Sequence, residues 1–102
     1  MPQFDVYKNP RGGAFPLVID VQSEVLTRLD TRVVVPLMPL KRYGARPITR
    51  LNPTVKIDRV EYVLVFQELA AVPAAALAMP VANLRARRDE LVAAVDLLFT
   101  GI

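Results

Sequence analysis

Between Gln3 and Phe66 the chain is built from short apolar segments set at hairpin spacing, and a helical period takes over only at Leu84. That layout predicts a small, strongly bent antiparallel sheet or barrel with one helix packed on its open face. Gln3 to Tyr7 alternates Phe4 and Val6 with Gln3, Asp5 and Tyr7, the period of a strand. Asn9-Pro10-Arg11-Gly12-Gly13 then breaks the chain, since its proline presets φ and its glycines tolerate φ > 0. Pro16 to Val21 forms a second strand, with Leu17, Ile19 and Val21 on one face and Val18 and Asp20 on the other. Gln22 to Thr31 reads as an irregular connection that exposes Val25 or Leu26. Arg32 to Leu37 (RVVVPL) is a β-branched run suited to a central strand, with Pro36 at its end or at a bulge. Thr54 to Ile57 and Glu61 to Phe66 make a hairpin around Asp58-Arg59. Val72 and Leu77 offer short extended pieces before the helix.

The segment from Leu84 to Ile102 is expected to be a single amphipathic helix with Asn83 as its N-cap. At about 100° per residue, Leu84, Leu91, Val95, Leu98 and Ile102 form one stripe with Val92 and Phe99 on its shoulder. Arg85, Asp89 and Asp96 fall on the opposite, solvated side. Leu97 and Thr100 also point away from the stripe, which periodicity leaves unexplained.

Composition narrows the chemistry. With 102 residues the chain is one domain, small enough that self-association would stabilise it. No His and no Cys removes the commonest metal ligands and the commonest general base, and the single Ser is Ser23. The ten acids are scattered, so no two-carboxylate motif emerges, and no metal or cofactor site is expected. The start of the chain lacks a signal-peptide pattern and no apolar run would span a membrane, so a cytoplasmic protein is expected. A net charge of +3 is too mild to establish nucleic-acid binding. Pro39 to Pro53, however, carries Lys41, Arg42, Arg46 and Arg50 with no acid among them. It reads either as a solvated loop or as a patch for phosphates or an acidic peptide.

QFDVY at Gln3 to Tyr7, VIDVQSEVL at Val18 to Leu26, RVVVPL at Arg32 to Leu37, LNPTVKI at Leu51 to Ile57, Val72-Pro73 and LLFTGI at Leu97 to Ile102 occur in one order and spacing. In these the chain resembles the CcdB family of bacterial type II toxins over essentially its whole length. The resemblance implies an SH3-like antiparallel barrel, also shared with MazF toxins, with a C-terminal helix, assembled as a homodimer through its helices. It implies a protein that is not an enzyme. Such toxins insert their helix tips into the A subunit of DNA gyrase, trap the cleaved gyrase-DNA complex and are neutralised by a CcdA-like antitoxin, so nucleic acid is met only indirectly.

Carried onto this sequence, the gyrase-contacting residues are Val25, Leu26, Asp96, Phe99, Thr100, Gly101 and Ile102, with Ile102 as an apolar anchor and Gly101 permitting close approach. Leu97 becomes a dimer contact. Lys8, Arg11, Lys41, Arg42, Arg46 and Arg50 become antitoxin contacts, since antitoxin tails tend to be acidic and disordered. The sequence departs from well-studied members at Thr100, where they carry Trp. Two other readings follow: a MazF-like endoribonuclease using Arg32, Arg46 and Ser23, and an antitoxin-binding homologue with weakened gyrase activity.

Overall fold

A computed structural model describes residues 2–102. Its strands are β1 (Asp5–Lys8), β2 (Leu17–Asp20), β3 (Thr31–Pro39), β4 (Thr54–Ile57), β5 (Val60–Leu64), β6 (Ala70–Pro73) and β7 (Ala82–Asn83), and its helix is α1 (Arg88–Thr100). The strands form one antiparallel sheet in the order β4-β5-β3-β2-β1-β7, with β6 paired to β3, and curl into a nearly closed barrel. This is the mainly β architecture with one C-terminal helix that the sequence implies.

β3 organises the sheet. Along one edge Val34 to Leu37 pairs with β2, and along the other Thr31 to Val34 pairs with β6 before Leu37 to Pro39 pairs with β5. Pro36 does not end the strand, as one sequence reading had it. It lies where β3 passes from β6 to β5, so its missing N–H falls in the gap between two ladders while its carbonyl accepts the Val65 N–H at 3.0 Å. The β4–β5 hairpin closes through Asp58 and Arg59 at φ 50° and 69°. Two positive φ values make this a type I′ turn, whose twist matches that of the flanking strands.

Alternation in the strands divides the interior in two. Leu17, Ile19, Val35, Leu37, Val55, Leu64 and Phe66 face the main core, whereas Tyr7, Val18, Val34, Val72 and Leu77 form a smaller cluster on the other face. The helix enters the main core with Leu91 and Ala94, both fully buried, and Leu84, Val92, Val95 and Leu98 pack around them. A fully buried leucine of this kind contributes about 1.5 to 3 kcal/mol before entropy is counted.

Two expected boundaries move. The first strand starts at Asp5, because Phe4 takes a positive φ of 70° while burying its ring in the main core. From there its N–H donates to Asp20 O at 2.6 Å and its carbonyl accepts the Leu84 N–H at 2.9 Å, joining the end of β2 to the approach to the helix. Leu84 is not helical; a 3-10 turn at Arg85–Arg87 precedes α1. Asn83 ends β7 and is not the helix N-cap: its Oδ1 accepts the Arg85 N–H at 2.8 Å, but the N-caps are Leu84 for the 3-10 turn and Arg87 for the α-helix, neither with a side-chain cap bond. Asp89 and Glu90 in its first turn still oppose the positive end of the helix dipole.

Candidate functional site

The helix stops because Gly101 adopts the left-handed conformation, φ 74°, with its N–H donated to Leu97 O at 3.0 Å. Glycine reaches that region without the Cβ penalty other residues meet. The turn redirects the chain, so Ile102 leaves the core-facing stripe that helical periodicity assigned it and is 80% exposed. Phe99, expected at the shoulder of the core, is 66% exposed. Two large apolar side chains thus stand in water at one end of the molecule, beside exposed Asp96 and Thr100. Leu97 is half-buried.

Thr100 donates its hydroxyl to Asp96 O at 2.7 Å, within its own helix. What it offers a partner is therefore a methyl group. Arg50, assigned from sequence to the basic connection, reaches the tip instead: its Nη2 donates to Ile102 O at 2.9 Å. The loop that carries it is pinned by Asn52, a buried residue that sequence reasoning missed. Asn52 Oδ1 accepts the Ile48 N–H at 3.0 Å, and Nδ2 donates to Leu64 O at 3.1 Å and to Gln67 Oε1 at 2.8 Å. A polar residue inside an LNP segment was the available signal, since a buried amide is retained where its hydrogen bonds are satisfied.

Val25 and Leu26 lie on a 3-10 turn, Glu24–Leu26, and are 86% and 44% exposed. Ser23 Oγ accepts the Val25 N–H, while Glu24 accepts from the Gln3 N–H and from Arg85 Nη2. These bonds hold the turn against the start of the helical segment. α1 has 13 residues, a length of about 20 Å at 1.5 Å per residue, so a single chain displays two apolar patches at opposite ends of its helix.

The six cations assigned to an antitoxin surface do not form one patch. Arg11 lines a groove of about 300 Å³ with Phe15, Val18 and Val34. Lys41 lines another, of about 460 Å³, with Lys56 and Arg59 from the β4–β5 hairpin. Lys8, Arg42 and Arg46 are exposed, and Arg50 is at the tip. The convergence of Lys56 and Arg59 on Lys41 was not legible, because it depends on how the hairpin folds over Leu40–Arg42.

Arg32 cannot serve as an exposed catalytic base or phosphate ligand. It is fully buried, with Nε 2.8 Å from Asp20 Oδ2 and Nη2 3.1 Å from Asp20 Oδ1 and 3.0 Å from Gln22 O. Its Nη1 has no partner. The endoribonuclease trio of Arg32, Arg46 and Ser23 is thereby broken: its first member is structural, tying β2 to β3 by a bidentate ion pair. Burial, and next to it the carboxylates of Asp5 and Asp20, push the Tyr7 phenol above its ordinary pKa, with Arg32 acting the other way. Among the described residues no group of three or more acids could hold a metal ion, and no helix is long and apolar enough to cross a membrane.

A curled antiparallel sheet carrying one C-terminal helix defines a small, mainly β barrel protein. The family model described as CcdB protein matches residues 3–101. The chain belongs to the CcdB family, which places it among the toxins of toxin-antitoxin modules.

Proposed function

We propose that this protein is a gyrase poison that acts by binding and not by catalysis: its helix tip engages the DNA gyrase A subunit and holds the cleaved gyrase-DNA complex. The observation that carries this reading is the pair of exposed apolar side chains, Phe99 and Ile102, on either side of a helix stop at Gly101. Apolar groups held in water on a rigid support have the character of interface anchors. In this reading the protein works as a homodimer with Leu97 at the contact, and pairing supplies what one chain lacks, a means of setting Val25 and Leu26 of one protomer near the tip of the other. A CcdA-like antitoxin removes it from its target, and the site of action is the cytoplasm, where gyrase and its DNA are.

The test is expression with and without Gly101 and Ile102. The full chain should arrest growth and produce gyrase-linked DNA breaks, and the truncated chain should do neither. Persistent arrest after truncation would remove the tip from the mechanism. Defined RNA fragments from purified protein would instead favour an endoribonuclease, a reading that the burial of Arg32 speaks against. Thr100 supports a second reading of weakened gyrase activity, because its small side chain, already bonded to Asp96 O, fills less of a pocket than an aromatic would. Thr100→Trp should then raise retention on immobilised gyrase A subunit.

A further inference from the structure

We propose that Arg50 is a positioning residue for the tip: it fixes the backbone of Ile102 and so aims that side chain before a partner arrives. The proposal rests on the reading above for the identity of the partner, but the ordering it describes belongs to the free chain.

The left-handed turn at Gly101 takes Ile102 out of the helix, beyond the ladder of backbone bonds that orders α1. Its side chain is largely exposed, so burial does little to fix it. Among the described residues Ile102 makes one hydrogen bond, and that bond comes from a residue 52 positions away: Arg50 Nη2 donates to Ile102 O at 2.9 Å. The end of the helix is thereby tied to the loop that leads into β4.

Arg50 makes this bond from an unfavourable conformation. Its φ is 71°, in the left-handed region, where the Cβ of any residue but glycine is crowded by the following carbonyl. A turn alone would be served better by Gly or Asn. The conformation is imposed by the segment around it. The Leu51 and Asn52 N–H groups both donate to Ile48 O, at 3.2 and 2.8 Å, closing the chain over Arg50. Leu51 packs against the main core, and buried Asn52 is bonded to Leu64 O and Gln67 Oε1. Strain of this kind persists where the surroundings over-determine it, and it collects where a side chain has to be aimed. The group aimed here is a guanidinium, a planar and rigid donor.

Order at Ile102 matters because a loose anchor has to be immobilised as it binds, which weakens an interface. Arg50 supplies part of that order in the free chain. Because the bond is exposed to water, its effect on affinity is modest, roughly three- to tenfold.

The experiment uses the full chain labelled with ¹⁵N and two variants, Arg50→Asn and Arg50→Gly. Both replacements tolerate the left-handed turn and neither reaches Ile102. Backbone relaxation of the free chain should show the Ile102 amide loosened in both, with the barrel unchanged. The thermal midpoint should stay level or rise, because strain is relieved. A midpoint that falls together with the loosening would mark Arg50 as a structural residue and overturn the proposal. On immobilised gyrase A subunit the affinity of both variants should fall roughly three- to tenfold. In an Ile102→Ala background the same replacements should cost little, since alanine leaves little side chain to aim. A full loss there would mean that Arg50 touches the target itself, which also overturns the proposal. So would an Ile102 amide equally ordered in parent and variants, or an unchanged affinity in folded variants. Failure of the gyrase reading is distinct: the parent itself would not be retained by the gyrase A subunit, while the relaxation of Ile102 would still decide the role of Arg50.

Discussion

At the scale of single residues, the least replaceable groups are polar ones inside the sheet. Asp20 and Arg32 are both excluded from water, and each is tolerable only because of the other. Asp20→Ala should cost about 3 to 5 kcal/mol, measured by chemical denaturation, by leaving a buried guanidinium unpaired. Replacing both by Leu and Met should cost much less than either single change suggests, which a double-mutant cycle will show. Tyr7 gives the molecule a pH dependence of definite sign. Burial and two nearby carboxylates raise its phenol's pKa in the folded state, so the folded chain holds that proton more tightly than the unfolded one. The corresponding stability is fully present below about pH 10, the unfolded value, and is lost as pH rises through the raised folded pKa. Denaturation midpoints taken from pH 8 to pH 11 should fall more steeply for the parent than for Tyr7→Phe. Sequence alone revealed Asp20 and Arg32 as members of strands but not as a pair. Their meeting depends on the β2–β3 register, which brings together positions 12 apart in the chain.

At the scale of elements, the legible features were those with local causes. Alternating apolar residues located β1 to β5 within a residue or two, because a pleated strand buries every second side chain and nothing distant is needed to read that. The errors lay where a non-local or conformational event intervened. Phe4 breaks the first strand by taking a positive φ so that it can reach both Asp20 and Leu84. Pro36 continues β3 because the partner strand changes beside it. The helix was drawn too long at both ends, since periodicity cannot see a 3-10 turn at Arg85–Arg87 or a left-handed stop at Gly101. That stop is conformational and not steric, for a Cβ added to Gly101 would meet nothing within 4 Å. Gly101→Ala should therefore cost only about 1 to 2 kcal/mol at the helix end, seen as fraying of Phe99 and Thr100 in amide exchange, with the barrel's exchange rates unchanged.

At the scale of the whole molecule, the barrel and helix support surfaces of opposite character. The groove lined by Lys41, Lys56 and Arg59 carries three cations against one carboxylate, Glu61, so any anionic contact there should weaken steeply as salt is added. The tip differs because its largest exposed side chains, Phe99 and Ile102, are apolar, while three of its polar groups are bonded within the chain: Thr100 Oγ1 to Asp96 O, the Gly101 N–H to Leu97 O, and Arg50 Nη2 to Ile102 O. Those three groups need not trade water for a partner when Phe99 and Ile102 enter an apolar pocket. Calorimetry of the chain with gyrase A subunit should accordingly show a negative heat-capacity change. A helix stop that uses its own backbone and a neighbouring arginine thus brings two apolar anchors forward with part of the desolvation already done. Its hold on a target should strengthen with warming over the range where the hydrophobic effect does.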